Sequence, residues 1–178
     1  QSTLLMGTGI VASAFDNNLL AAFKKRIAAS DQLNIGVIGI KGMGWSNTKV
    51  AMNIPGINLA AICDIDKGVI DERTAELVKG GKGISKIKVY GDYRKMLEQK
   101  DIDIIIVGTP DHWHALQMIH ACQAGKHVYV EKPVGNSIGE CEAMVAAQKR
   151  YGKIVQAGQW QRSQQHFKDA VDFVQSGQ

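Results

Sequence analysis

Short β-branched runs alternate with longer amphipathic stretches along most of this chain, and the alternation predicts its architecture. Residues 34–39 (NIGVIG) form such a run, bounded by glycine, and read as a strand buried on both faces. Similar runs fall at 59–64, 87–90, 102–107, 127–130 and 154–157. The segments between and after them fit helices over 45–54, 67–79, 93–98, 111–124, 138–151 and 165–175. In 111–124, Ala115, Leu116, Ile119 and Cys122 make one apolar stripe at helical period, which is assigned to the core. Strands separated by helices pair in parallel, through right-handed crossovers that leave helices on both faces. The expected class is α/β, a doubly wound parallel sheet of the Rossmann type.

Local punctuation agrees. Pro55-Gly56 closes the helix that starts near Trp45. Asp66 suits the N-cap of 67–79, where a short acceptor satisfies an orphan amide. Ser137-Ile138-Gly139-Glu140 reads as a capping box, with hydroxyl and carboxylate each serving a first-turn amide. Gly125 and Gly152 stand where helix ends favour a left-handed residue, and Gly80-Gly81-Lys82-Gly83 reads as a surface loop.

Candidate chemistry begins where the first strand ends, at Gly39-Ile40-Lys41-Gly42-Met43-Gly44. A strand that enters a helix through a tight glycine turn aims free backbone N–H groups at one spot, where the helix dipole adds about +0.5 charge. A pyrophosphate fits that spot. Gly39 permits the turn, Gly44 lets the helix pack closely on the sheet, and Lys41 occupies the place of the second glycine in the usual G-x-G-x-x-G pattern. The expectation is that the Lys41 stem turns outward while its ammonium offsets part of the diphosphate charge. Gly42 then supplies the close approach, and Met43 completes the candidate phosphate-binding set. Asp64 closes the second strand, where an adenosine ribose would lie, and its two oxygens suit two ribose hydroxyls. Its charge disfavours a 2′-phosphate, so NAD is expected, with Lys67 keeping NADP open.

Ligands of doubly wound sheets lie outside the carboxyl ends of the strands. Three polar segments follow those ends: Gly108-Thr109-Pro110-Asp111-His112-Trp113-His114, Glu131-Lys132-Pro133 and Gly158-Gln159-Trp160-Gln161-Arg162. Out of this context Glu131 and Lys132 would read as a surface ion pair. His112 reads as solvent-facing, and His120, His127 and His166 as structural or surface residues. Trp113 and Trp160 either wall a pocket or simply pack, and Arg162 is either a substrate contact or a solvated cation.

The chain has 178 residues, 45% hydrophobic and 21% charged, enough for one well-buried domain. Its formal charge is +4, but the cations are scattered and form no stripe interleaved with aromatics, which argues against nucleic acid. Cys63, Cys122 and Cys141 are far apart and read as buried small hydrophobes, with no spacing for a metal or redox site. Residues 3–15 are apolar, too short to span a bilayer, and end in Ala12-Ser13-Ala14, which has the form of a signal-peptidase site. Residues 1–15 are therefore expected to be the remnant of an export leader similar to twin-arginine leaders, implying a periplasmic or otherwise exported protein. A cytoplasmic protein with an N-terminal arm is the alternative. Residues 16–33 read as a linker or surface helix, and 34–178 as the dinucleotide-binding domain.

From about residue 34 to 178 the chain resembles the N-terminal domain of the Gfo/Idh/MocA oxidoreductases. The resemblance rests on E-K-P at Glu131, Lys132 and Pro133, and on T-P-[DN]-x-x-H at Thr109, Pro110, Asp111 and His114. The glycine turn is similar to the family's G-x-G-G-M-G except at Lys41. The resemblance implies a nicotinamide lying across Thr109, Pro110, His114 and Glu131, and a sugar or polyol substrate whose hydroxyl meets Lys132. Lys132 and His114 are the implied catalytic residues, Glu131 orients the lysine or contacts ribose, and Pro133 stiffens the turn. It also implies a substrate domain absent from this chain, so that these 178 residues bind NAD but turn over no sugar unaided, and it leaves a homo-oligomer of the full-length protein open. Three functional readings stand: a sugar or polyol dehydrogenase, an NAD-dependent glycoside hydrolase that later returns the hydride, and a non-catalytic dinucleotide-binding module.

Overall fold

The structure is a computed structural model and describes residues 31–81 and 87–177. The expected leader, all but the end of the expected linker, and part of the glycine loop after Gly81 lie outside the described residues. The strands are β1 (Leu33–Ile38), β2 (Ile57–Cys63), β3 (Lys88–Tyr90), β4 (Ile104–Val107), β5 (His127–Glu131) and β6 (Val155–Gly158). The helices are α1 (Gly42–Ala51), α2 (Lys67–Lys79), α3 (Tyr93–Leu97), α4 (His114–Gln123), α5 (Ile138–Tyr151) and α6 (Gln165–Gln175). Short 3₁₀ turns at Asp111–Trp113 and Trp160–Ser163 lead into α4 and α6.

The strands form one six-stranded parallel sheet in the order β3-β2-β1-β4-β5-β6. This is the doubly wound Rossmann order, and its switch point lies between β1 and β4. Side-chain alternation divides the core into two layers. Ile35, Val37, Ile62 and Ile106 pack with Trp45 of α1 and with Val69 and Leu77 of α2. Ile38, Ile105, Val107, Val128 and Val130 pack with Met96, Met118, Cys122 and Met144 from α3, α4 and α5. Burying each such aliphatic side chain stabilises the fold by about 1.5–3 kcal/mol, which is why the strands read as unbroken apolar runs.

Each predicted strand and helix is present, with ends displaced by at most a few residues. The largest displacement is α1, expected over 45–54. It begins three positions earlier, inside the glycine turn, and ends at Ala51, with Met52 as its C-cap. Asp66 caps α2 as expected, its Oδ1 accepting from the amides of Gly68 and Val69. In the capping box of α5, Ser137 Oγ accepts from Glu140 N–H at 3.2 Å, but Glu140 Oε2 reaches past Ser137 to the amide of Asn136 at 2.6 Å. The apolar stripe of α4 also needs correction: Leu116 is exposed, and the buried face runs through His114, Ala115, Gln117, Met118, Ala121 and Cys122. Cys63 and Cys122 are buried, whereas Cys141 is only half-buried. Among the described residues no helix is long and apolar enough to cross a membrane.

Candidate functional site

Three glycines meet where the sheet switches direction. Gly39, after β1, has φ +80°, and a Cβ there would lie 2.7 Å from the Thr109 nitrogen. A Cβ on Gly44 would overlap the Gly39 carbonyl oxygen, and one on Gly108, after β4, would overlap Gly44 Cα. The start of α1 is therefore pressed backbone to backbone against the ends of β1 and β4. Gly42, with φ +51°, faces open space, with nothing within 4 Å of where its Cβ would stand.

Asp66, Asp92 and Ser137 cap α2, α3 and α5 with side-chain oxygens, whereas α1, like α4 and α6, begins without a side-chain cap. Lys41, at the N-cap of α1, is extended (φ −103°, ψ 158°), caps with no side chain, and no acidic residue stands in the first turn. The Lys41 side chain is exposed. The first-turn amides keep their donor capacity and the positive end of the dipole beside an open cradle, which fits a diphosphate.

Asp64 braces the same turn. Its Oδ2 accepts the Ile40 N–H at 3.0 Å and its Oδ1 accepts the Asp66 N–H at 3.0 Å. Each oxygen keeps a lone pair for a further donor. Lys67 is turned to an ion pair with Asp71 at 3.0 Å, both side chains well exposed. Beside Asp64, burial and then the neighbouring charges of Asp64 and Asp92 push the Cys63 thiol up to about 12, so it stays protonated at neutral pH and is no nucleophile.

On the other side of the switch point, the loops after β4 and β5 are tied together from below. His114 is 2% exposed. Its Nδ1 lies 2.7 Å from the Pro133 carbonyl oxygen and its Nε2 lies 2.8 Å from that of Thr109. Both contacts are hydrogen bonds only in the doubly protonated ring, since a neutral imidazole has one N–H to give. The ring nitrogens thus face the loop backbones. Thr109 Oγ1 is hydrogen-bonded to Oε1 of the buried Gln117 at 2.7 Å, and Pro110 is exposed at the entry to the 3₁₀ turn.

Glu131 is 4% exposed and does not reach the Lys132 ammonium as an ion pair. Its Oε2 accepts the Lys132 main-chain N–H at 3.1 Å, and its Oε1 accepts from Asn47 Nδ2 of α1 at 2.7 Å. Gly158 of β6 leaves room for this carboxylate, since a Cβ there would lie 2.9 Å from Glu131 Oε1. The Tyr129 hydroxyl is held in its protonated form, first by burial and then by the Glu131 charge. Lys132 itself is exposed, and among the described residues its ammonium forms no ion pair. Trp113 and Trp160 are partly exposed on neighbouring loops, Arg162 is exposed, and no group of described residues could hold a metal ion.

The structure therefore gathers Gly39, Gly42, Gly44 and Asp64 at one turn, and Thr109, His114, Glu131 and Lys132 at an adjoining one. Sequence reasoning missed the roles of Asn47, Gly108 and Gln117. Asn47 stands one helical turn after Gly44, on the side of α1 nearest the sheet, and that spacing was the available signal. Gly108 shows its role only through the pairing of β1 with β4.

Comparison with known proteins bears on the same elements. The model of the GFO_IDH_MocA oxidoreductase family, described as an NAD-binding Rossmann fold, matches residues 33–159. A glycosyl hydrolase family 109 protein of Shewanella putrefaciens is 35% identical over 125 residues, which are 69% of this chain and 27% of that protein. The crystal structure of myo-inositol 2-dehydrogenase from Lactobacillus plantarum is similar with a TM-score of 0.71 at 28% identity, covering 82% of this chain and 42% of that one. Scyllo-inositol dehydrogenase from Lactobacillus casei, solved with bound NAD(H) and scyllo-inositol, gives a TM-score of 0.70 at 26% identity, with coverages of 82% and 42%. The chain thus spans 27% of the length of the curated relatives it matches. The family match runs through every element that builds the cradle and the lysine edge, and the chain belongs to the Gfo/Idh/MocA oxidoreductase family, whose NAD-binding Rossmann domain it forms.

Proposed function

We propose that this chain is the cofactor domain of an enzyme that removes a hydride from a secondary hydroxyl of a sugar or polyol. One observation carries the reading: an exposed Lys132, whose amino group forms no ion pair among the described residues, stands one residue past the buried Glu131, on the sheet edge that also holds the glycine cradle. NAD, when bound, supplies the hydride acceptor. The α1 amides hold the diphosphate, and Asp64 meets the adenosine ribose. Lys132, as the free amine, takes the proton from the substrate hydroxyl as the hydride leaves, and the ammonium so formed hydrogen-bonds the oxygen. Glu131, pinned by Asn47, fixes the backbone from which Lys132 projects. His114 serves the reaction as a positioning residue, holding the Thr109 and Pro133 carbonyls at a set spacing.

A second reading has its own support, because the family 109 relatives are named as glycosyl hydrolases. In that chemistry the same hydride removal makes a neighbouring C–H acidic, the leaving group is eliminated, water adds, and the hydride returns. The two readings separate by product analysis of the full-length protein with free polyols and with glycosides. NADH accumulating in step with oxidised product assigns a dehydrogenase, and glycoside cleavage without net NADH assigns the hydrolase. A protein that binds NAD and does neither loses the enzymatic reading.

Asp64 supports NAD over NADP, since its carboxylate stands where a 2′-phosphate would have to lie and Lys67 is engaged elsewhere. Asp64→Ser is expected to reduce the ratio of NAD to NADP affinity by about tenfold or more, because like charges brought together cost several kcal/mol. Titration of both dinucleotides reads the ratio, and an unchanged ratio removes Asp64 from cofactor choice.

A further inference from the structure

We propose that Arg73 of α2 is a positioning residue for the dinucleotide turn, holding both of its ends so that the α1 amides stay aimed at the diphosphate. The inference rests on the placement of the diphosphate at this turn.

The turn runs from Ile40 to Trp45, and both flanking residues are buried, at 0% and 3% exposure, while Lys41, Gly42 and Met43 between them are exposed. In the exposed part Lys41 caps with no side chain and the Cβ direction of Gly42 is empty, the side-chain contact there being Ser46 Oγ donating to the Gly42 carbonyl oxygen at 3.2 Å. The entry into the turn is therefore shaped mainly from its ends. At the Ile40 end the amide is taken by Asp64 Oδ2 at 3.0 Å, and the carbonyl oxygen accepts from Arg73 Nε at 3.1 Å. Both polar groups of that peptide residue are thereby fixed by side chains from other elements. At the Trp45 end the Arg73 guanidinium lies over the indole, 5.4 Å from its centroid. Trp45 Nε1 donates to Glu76 Oε2 at 2.8 Å, and the same oxygen accepts from Arg73 Nη1 at 3.1 Å.

Arg73 thus closes a loop of contacts from Ile40 through its own guanidinium and Glu76 to Trp45. A planar fork with donors in several directions can do this, and an ammonium cannot. The guanidinium is also committed: Nη1 lies 2.7 Å from Glu72 Oε1, and the side chain is 16% exposed. Its role is therefore internal, toward the turn, and not that of a cation presented to a phosphate.

The test uses this chain and two probes that share an adenosine end, ADP-ribose, which carries the diphosphate, and adenosine, which does not. Arg73→Met is expected to weaken NAD and ADP-ribose about tenfold, the equivalent of one hydrogen bond to a charged group, while adenosine affinity stays within about twofold. A general loosening of the domain would lower all three alike, so equal losses overturn the proposal, as does unchanged NAD affinity in a variant shown to be folded by its near-ultraviolet circular dichroism. If Arg73→Met does not fold, Arg73→Lys decides, with a smaller loss of the same diphosphate-selective pattern expected and absence of that pattern overturning the proposal. A wild-type chain that binds adenosine but shows no added affinity for ADP-ribose sinks the diphosphate placement itself, whatever Arg73 does.

Discussion

In the full-length protein, Lys132→Ala is expected to lower kcat for the proposed reaction roughly 10²–10⁴-fold, the range for removal of a positioned proton-transfer group, while NAD affinity stays within about twofold. The split follows from the geometry. Lys132 is exposed beyond the end of β5, and its side chain forms no ion pair among the described residues, so its truncation is expected to leave the fold intact. On the proposed function it supplies a base for the substrate's hydroxyl proton and then, once protonated, a charge beside the substrate oxygen. Lys132→Arg sharpens the test, because it keeps the cation and removes the group able to take a proton at ordinary pH. A rate near wild type in the arginine variant limits the lysine to electrostatics. A rate near wild type in the alanine variant removes Lys132 from the chemistry altogether. The comparison is read by single-turnover NADH formation beside dinucleotide titration, so that binding and chemistry are seen separately.

Gly44→Ala is expected to abolish dinucleotide binding and to lower the thermal midpoint by roughly 5–12 °C, as follows from an overpacking penalty at or above about 3 kcal/mol. The added methyl would overlap the Gly39 carbonyl oxygen and crowd Gly108. Both neighbours are main chain and cannot rotate aside as a side chain would. Relief requires α1 to move off the sheet, which draws Trp45 from the core and turns the first-turn amides away from the cradle. Gly139→Ala is the matched control. It also places a methyl on a helical glycine, but nothing lies within 4 Å of that Cβ, so the change is expected to be neutral or to stabilise by about 0.5–1 kcal/mol. Equal midpoints for the two variants would show that helix propensity, and not close approach at the switch point, governs Gly44.

The central strands were legible because they are buried on both faces, which demands apolar runs such as IIIV in β4, whereas the edge strands β3 (KVY) and β6 (VQAG) are more exposed and carry polar residues. The helix ends that sequence placed well carry their own local chemistry, such as Asp66 at the start of α2 and Gly152 in the left-handed region after α5. A cap was not always needed, since α6 has none and still lies at 165–175, but α1 was displaced. No side chain caps α1, so its start depends on how closely glycine backbones approach one another, and the exposed Leu116 mimicked a core position because its helix buries a histidine and a glutamine in the same face. The two halves of the candidate site differ in the same way. Gly39, Gly44 and Asp64 could be read as one turn because a strand, a tight turn and a second strand fix their spacing along the chain. Out of context the adjacent charges of Glu131 and Lys132 suggest a surface ion pair, whereas the resemblance gave Glu131 the role of orienting the lysine or contacting ribose. In the fold it faces inward to Asn47, far off in sequence, and binds the lysine only through its backbone.

Sequence alone therefore determined the class of fold, its alternating strands and helices, the glycine turn after β1 and the polar segments at the strand ends, because each follows from local periodicity or from spacing within one strand–turn–helix unit. Tertiary structure alone decided which side chains hold those residues in place: Gly108 beneath Gly44, Asn47 on Glu131, His114 between the Thr109 and Pro133 carbonyls, and Arg73 across the ends of the turn. These contacts join elements distant along the chain. They depend on sheet order, register and the facing of helices, and a single sequence carries no local pattern from which such distances can be read.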